Sequence, residues 1–154
     1  MHEPGLTVQS DEHFMKQALV EAQNAFDLDE APIGAVIVCQ GRIIARAHNL
    51  TERLTDVTAH AEMQAFTAAS ENLGSKFLND CTLYVTLEPC LMCAGAAHWT
   101  RIGKIVFGAR DERLGYKSVE QRVLHPKTEV VGGVMENECA AILQDFFKKK
   151  RALQ

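Results

Sequence analysis

The spacing of apolar residues divides the chain into alternating helices and strands. From residue 11 to about residue 26, apolar side chains recur at the period of an α-helix, and residues 34–39 form a short apolar run typical of a strand. Gln40-Gly41 is typical of a two-residue turn, so residues 42–47 are predicted to return as the second strand of a hairpin. The chain is therefore predicted to begin with a helix and a β-hairpin.

The remaining sequence continues this alternation. Residues 60–73 are rich in alanine and precede Gly74, a residue type that commonly ends helices. Further helices are predicted at 90–99 and 137–150, strands at 82–86, 104–107 and 130–131, and polar loops at 50–58 and 111–127, the second with one helical turn near 119–124. This order predicts one domain over residues 1–154, with an α/β fold in three layers and a largely covered sheet.

Composition and charge restrict the cellular setting and the partners. The chain has 154 residues, of which 47% are apolar and 23% charged, as in ordinary globular domains. Its net charge is −4, so any contact with nucleic acid must come from a local basic patch. Residues 1–10 lack the pattern of a secretion signal, and the longest apolar run, 33–39, is too short to span a bilayer. We therefore expect a cytoplasmic protein with no membrane partner.

The five cysteines are expected to be ligands or core residues rather than disulfides, because their number is odd and the expected compartment is reducing. Cys39, Cys81 and Cys139 stand apart in apolar surroundings and are predicted to lie in the core. Cys90 and Cys93 have the C-x-x-C spacing. Only this last pair is predicted to carry chemistry.

Two short motifs, each at the start of a predicted helix, carry the candidate chemistry: His60-Ala61-Glu62 and Pro89-Cys90-Leu91-Met92-Cys93. Thiolates at a helix N-terminus are favoured by its free N–H groups and its dipole. Together with the imidazole of His60 they give three ligands suited to zinc, which is typical of a catalytic ion with one open position for water. Glu62 is then free to accept a proton from that water and to pass it to a ring nitrogen and the departing amine.

Other interpretations of the same residues exist. The C-x-x-C pair alone is compatible with a thioredoxin-like redox site, and a structural zinc could take Cys81 or His98 as a fourth ligand. His60 alone would be interpreted as a core histidine. The combination of H-x-E with P-C-x-x-C is instead the known signature of zinc-dependent nucleobase deaminases, and we adopt that interpretation.

The sequence resembles the bacterial tRNA adenosine deaminases of the cytidine-deaminase-like superfamily. The stretches that carry the resemblance are PIGAV at 32–36, TAHAE at 58–62, TLYVTLEPCLMCAG at 82–95, FGARD at 107–111 and the C-terminal segment that begins ECAA at 138. The resemblance implies a three-layer α/β/α sandwich around a mixed five-stranded sheet and a homodimer that completes the active sites. It also implies zinc-dependent hydrolysis of adenosine to inosine at the wobble position of a tRNA anticodon.

The resemblance also implies substrate-binding residues. Asn49 matches the family asparagine that hydrogen-bonds the target base, and the backbone N–H of Ala61 matches a second group that holds it. The C-terminal segment lies near the RNA in the family. There an exposed aromatic can stack on an unpaired base and a basic run can contact phosphates, so we predict RNA contacts at Phe146, Phe147, Lys148, Lys149, Lys150 and Arg151.

One segment departs from the family pattern. Residues 111–127 are several residues shorter than the corresponding family loop, which lies near the anticodon. This departure bears on RNA recognition and not on the metal or proton chemistry. The alternative substrate is therefore a free nucleobase or nucleoside, such as guanine, cytosine, cytidine or adenosine. A non-catalytic RNA-binding subunit with the same fold is the alternative of another class, and Glu62 speaks against it.

Overall fold

The computed structural model describes residues 10–154, and this part of the chain contains four α-helices and five strands. In chain order they are α1 (Asp11–Asp27), β1 (Gly34–Cys39), β2 (Arg42–His48), α2 (Ala61–Leu73), β3 (Cys81–Leu87), α3 (Leu91–Thr100), β4 (Lys104–Ala109), β5 (Glu129–Gly132) and α4 (Glu136–Ala152), with a short 3-10 turn at Tyr116–Ser118. Each predicted helix and strand is present, and its ends lie close to the predicted ones.

The strands form one mixed sheet in the order β2-β1-β3-β4-β5. β1 is antiparallel to both β2 and β3, whereas β3, β4 and β5 are parallel to one another. The predicted mixed five-stranded sheet is therefore confirmed. Because β3 and β4 run in the same direction, their carboxyl ends meet at one edge, and the segments that follow Leu87 and Ala109 begin side by side.

Helices cover both faces of this sheet. Along β1, Ala35 and Ile37 pack in the cluster that includes α2 and α3, whereas Val36 and Val38 pack in the cluster that includes α1 and α4. Residues on both sides of the central strands β1, β3 and β4 are buried, which explains why these strands are largely apolar. The predicted three-layer α/β/α arrangement is confirmed. At Gly34 the layers approach so closely that a Cβ would lie 2.1 Å from the backbone oxygen of Ala18.

Local sequence signals account for several element ends. Ser10 caps α1, since its hydroxyl accepts a hydrogen bond of 3.1 Å from the N–H of His13. The hairpin turn places Gln40 at φ 52° and Gly41 at φ 76°, as the tight turns between antiparallel strands require. Gly74 ends α2 with φ 63°.

One detail of the sequence interpretation is wrong. Residues 119–124 form bends, and the only helical turn of the loop lies earlier, at Tyr116–Ser118. It lies there because the N–H of Tyr116 donates to the backbone oxygen of Pro89 at 2.9 Å. This hydrogen bond joins the loop to the segment that precedes α3. In α4 the buried side chains are Cys139 and Phe146.

No helix within residues 10–154 has the length and apolar character needed to cross a membrane.

Candidate active site

Three side chains from two helix N-termini meet at the carboxyl edge of the sheet. His60 is the N-cap residue of α2 and Cys90 that of α3; both have extended backbones, and neither side chain caps its own helix. Cys93 lies in the first turn of α3 and is completely buried. Because no capping bond occupies them, the imidazole and the thiols are free to face a common point.

The distances between these side chains fit a zinc ion. His60 Nδ1 lies 3.6 Å from Cys90 Sγ and 3.4 Å from Cys93 Sγ. Nitrogen and sulfur ligands of one tetrahedral zinc ion lie about 3.6 Å apart, from the usual bond lengths. Within residues 10–154, the only group of this kind is His60, Cys90 and Cys93. Cys81 and His98 do not belong to it, so a fourth protein ligand is absent from the described part of the chain.

The cluster is electrostatically suited to a cation. A hydrogen bond with Cys93, together with the effect of His60, lowers the pKa of Cys90 to about 4, although burial opposes the shift. The hydrogen bond with Cys90 raises the pKa of Cys93 and also that of His60. These shifts favour the thiolate at Cys90 and leave a proton on Cys93. A metal ion would replace that proton, since metal ligands bind in their deprotonated forms.

Glu62 lies in the first turn of α2, next to the three candidate ligands, and is only 4% exposed. Burial, with a smaller contribution from the neighbouring Cys90, raises the pKa of this carboxyl to about 7. A cation held by the cluster would favour the carboxylate form. The group can therefore both accept and release a proton near neutral pH.

A cavity of about 270 Å³ opens above these groups. His60, Glu62 and Cys90 line it, and so do Ala61 and Asn49, the two residues predicted to hold the base. Ala61 is the first residue of α2, where backbone N–H groups have no acceptor within the helix. Asn49 is 6% exposed, and its Nδ2 donates to Thr51 Oγ1 at 3.3 Å.

Two buried glutamates that the sequence analysis did not identify hold the loops on either side of the cavity. The carboxylate of Glu30 accepts the backbone N–H groups of Glu52 at 3.0 Å and Arg53 at 2.7 Å. The carboxylate of Glu88 accepts those of Asp111 at 3.3 Å and Lys117 at 3.2 Å. Each carboxylate therefore holds one loop in place through two backbone hydrogen bonds, and residues next to those bonds line the cavity.

Gln64 holds the start of α2 in place. Its Nε2 donates to the backbone oxygens of His48 at 2.8 Å and Ala59 at 3.1 Å, which joins α2 to the end of β2. Its sequence position, two residues after Glu62, gives a weak signal, because glutamine is ordinary in a helix. Glu30 and Glu88 share one signal: each shortly precedes a proline, at Pro32 and Pro89.

A groove of about 600 Å³ adjoins the cavity, and Asn49 and Thr51 line both. Phe146, Phe147 and Lys150 line its far side. The structure therefore brings part of the predicted RNA-contact segment next to the cavity. The segment is not uniform, since Phe146 is buried at 6% exposure whereas Phe147 is 47% exposed.

The four C-terminal cations differ in their surroundings. Lys150 forms an ion pair with Asp29, and Lys149 lies over the ring of Phe26 at 5.6 Å. Lys148 and Arg151 are exposed and form no ion pair within residues 10–154. Only the charge of Lys150 is therefore paired within residues 10–154, and the other three charges are free to meet a polyanion.

Comparison with known proteins agrees with this geometry. The sequence profile of MafB19-like deaminases matches residues 9–151. The tRNA-specific adenosine deaminase of Agrobacterium fabrum (strain C58 / ATCC 33970) is 47% identical over 144 residues, covering 90% of this chain and 95% of that protein. The tRNA-specific adenosine deaminase of Bacillus subtilis (strain 168) is 48% identical over 147 residues, covering 92% and 91%.

A solved structure gives the same result. It comes from a study of A-to-I editing by tRNA:A34 deaminases at the wobble position, and it superposes with a TM-score of 0.80 at 47% identity. The match covers 85% of this chain and 99% of that one. The chain thus belongs to the tRNA-specific adenosine deaminases, within the MafB19-like deaminase family.

Proposed function

We propose that this protein hydrolyses adenosine to inosine at the wobble position of a tRNA anticodon. The observation that carries the proposal is the position of the buried Glu62 carboxyl beside His60, Cys90 and Cys93 at the base of a cavity. The curated relatives and the solved structure named above support the tRNA substrate. In the overall reaction water replaces the amine at C6 of adenine, and ammonia leaves.

His60, Cys90 and Cys93 would hold the zinc ion. Their donor atoms, two sulfurs and one imidazole nitrogen, are ligands that zinc prefers, and three protein ligands are typical of catalytic sites. When bound there, zinc supplies a Lewis acid that makes a water molecule more acidic. The lowered pKa of Cys90, described above, supports this assignment, because a thiolate is the form that binds zinc.

Glu62 moves the protons. Its carboxylate accepts a proton from the attacking water and then donates one to the ring nitrogen next to C6. A second transfer through the same carboxyl protonates the departing amine, so that the C6–N bond breaks as a C6 carbonyl forms. Burial suits this role, because a carboxyl shielded from solvent water exchanges its proton with the bound substrate.

Asn49 and Ala61 would orient the base. Both line the cavity, and each offers a polar group toward it: the side-chain amide of Asn49 and the backbone N–H of Ala61. A target base must leave its stack to enter such a cavity, so the unpaired anticodon loop is an easier substrate than a duplex.

The groove beside the cavity would bind the rest of the anticodon loop. Phe147 is exposed and can stack on an unpaired base, whereas Phe146 packs edge-to-face on Phe26 at 5.6 Å and supports the groove. Lys148 and Arg151 are placed to contact phosphates. Lys149 and Lys150 contribute to the local positive potential.

We also propose that the chain acts as a homodimer through the outer face of the first half of α3, residues 91–96, which leaves its C-terminal end outside the interface. The helix has no polar residue from Leu91 to Ala97, and Leu91, Met92, Gly95 and Ala96 lie on its partly or fully exposed side. A helix of this kind is normally buried. A second copy is the occupant that the family resemblance indicates, and it would cover the helix that carries Cys90 and Cys93. The mass in solution should then be about twice 17.0 kDa.

Because tRNA is the proposed substrate and all five cysteines are free thiols, we propose the cytoplasm as the place of action. A reducing compartment keeps the two thiol ligands available for metal.

The test incubates purified protein with tRNA from its own source and measures inosine by mass spectrometry after digestion. A parallel incubation with free adenine, adenosine, guanine, cytosine and cytidine measures ammonia. Inosine at the first anticodon position, lost in Glu62→Ala with bound zinc retained, would support the proposal. Ammonia from a free base without inosine in RNA would instead assign the substrate to the small-molecule class.

A further inference from the structure

The end of the molecule away from the candidate active site carries a concentration of positive charge. We call Lys76, Arg101, Arg122 and Lys127 the basic cluster; all four side chains are exposed. Lys76 follows α2, Arg101 ends α3, and the other two precede β5. Cys90 begins α3 and Arg101 ends it, so the 10-residue helix sets the cluster about 15 Å from the metal ligands.

The charges of the basic cluster are not neutralised within the described part of the chain. None of its four side chains takes part in the ion pairs found within residues 10–154. The pKa of His125 lies below its usual value, first because of partial desolvation and then because His98, Arg101, Lys127 and Arg122 surround it. In a chain with net charge −4, this local excess of unpaired cations points to an anionic partner.

Aromatic groups lie between these charges. A groove of about 690 Å³ is lined by Lys76, Phe77, His98, Trp99, Arg101 and His125, among others. The guanidinium of Arg101 lies 4.2 Å from the ring centre of Phe77, and Trp99 is 78% exposed. His98 Nδ1 is buried and has no hydrogen-bond partner within residues 10–154. A groove that combines cations with exposed aromatic faces has the chemistry that binds the backbone and bases of nucleic acid.

We propose that the basic cluster is a second RNA-contact site, which binds phosphates of the tRNA outside the nucleotides held in the catalytic cavity. This inference rests on the proposed tRNA substrate. A self-complementary contact between two copies, centred on the cluster, would bring like charges together, which favours a polyanion as the occupant. The separation of about one 10-residue helix excludes the target nucleotide itself.

The test compares two double variants with the same change in net charge. Arg101→Gln/Lys127→Gln removes two charges of the cluster, and Lys16→Gln/Arg42→Gln removes two exposed charges on α1 and on the opposite edge strand β2. The affinity for intact tRNA is measured between about 50 and 200 mM salt. The cluster variant should bind tRNA about tenfold more weakly, with a salt slope smaller by about 2, and the control should match the wild type.

A second pair and two further readouts make the outcome decisive. Lys76→Gln/Arg122→Gln should repeat the loss, whereas kcat for inosine formation at saturating tRNA should not change. Equal tRNA affinity in the cluster and control variants would overturn the proposal. A changed molecular mass with unchanged tRNA affinity would overturn it too and would assign the cluster to a protein contact. Absence of inosine with the wild-type chain would count against the proposed function instead.

Discussion

The catalytic end of the cavity and the rim that we propose to face the RNA are built in different ways. At the catalytic end the functional groups sit at two helix N-termini, and Glu62 and Cys93 are buried against the sheet. At the rim, Phe147 and Lys148 are exposed on the last turns of α4. The difference shows that short motifs fix the chemistry through local backbone geometry. Substrate selection depends on groups from separate parts of the chain that must be held in position by other means.

The strongest dependence at the catalytic end is on the metal. Cys93→Ala removes one of three ligands from a buried site, so bound zinc should fall far below one per chain and inosine formation should disappear. Cys39→Ala is the matched control, because Cys39 lies on β1 outside the ligand group and should keep both zinc and activity. Zinc content by mass spectrometry is the measurement. Full zinc occupancy in Cys93→Ala would contradict the ligand assignment.

Glu62 separates chemistry from metal binding. Glu62→Gln keeps the size of the side chain but cannot carry a proton, so kcat should fall by about 10²- to 10⁴-fold. The zinc content should stay that of the wild type, since Glu62 is not among the candidate ligands. Single-turnover inosine formation is the measurement. A variant within tenfold of wild-type kcat would rule out Glu62 as the proton carrier.

Glu88 lies two residues before Cys90 and holds the loop of residues 111–117, of which Asp111 and Leu114 line the catalytic cavity. Glu88→Gln replaces one acceptor oxygen by a donor amide, so one backbone N–H loses its partner at a cost of about 1–3 kcal/mol. We expect a lower free energy of unfolding in urea and a higher KM for tRNA, with zinc unchanged. Glu112→Gln, an exposed position in the same loop, should change neither quantity.

The smallest effect is expected from single charges at the rim. Lys148→Gln removes an exposed cation and should weaken tRNA binding about threefold, with a salt slope smaller by about 1. Lys150→Gln should have less effect, because Asp29 already neutralises that charge. Affinity titrations at several salt concentrations measure both. If the two variants lose the same affinity for tRNA, the ion pair between Lys150 and Asp29 opens on RNA binding. The distinction between paired and unpaired cations at the rim would then be wrong.

The sequence predicts most of the fold because the central strands are buried on both faces and stand out as apolar runs. Residues 34–39 and 105–107 are such runs, and both lie in strands of the structure. The helical turn expected near residues 119–124 is wrong because no short-range signal there competes with the contacts of Tyr116 and Lys117 to the chain around Pro89. Loop conformation is decided by partners distant in sequence.

The candidate site shows the same division. The structure brings together His60, Glu62, Cys90 and Cys93, which the motifs single out, and their roles stay predictions for the experiments above. Glu30 and Glu88 were missed because an isolated glutamate is interpreted as a solvated surface residue. Both carboxylates are buried and accept two backbone N–H groups. No recognisable pattern in a single sequence identifies the distant backbone N–H groups that these carboxylates accept.

The two outer strands of the sheet bear on how the protein avoids aggregation. β5 at one edge has only four residues, and β2 at the other edge exposes Arg42 and Arg46. Short or positively charged edge strands resist the addition of a strand from another chain. Joining of sheets between copies is therefore disfavoured at both edges. The proposed homodimer uses a helical face instead, and a closed pair of this kind does not grow into an open-ended fibre.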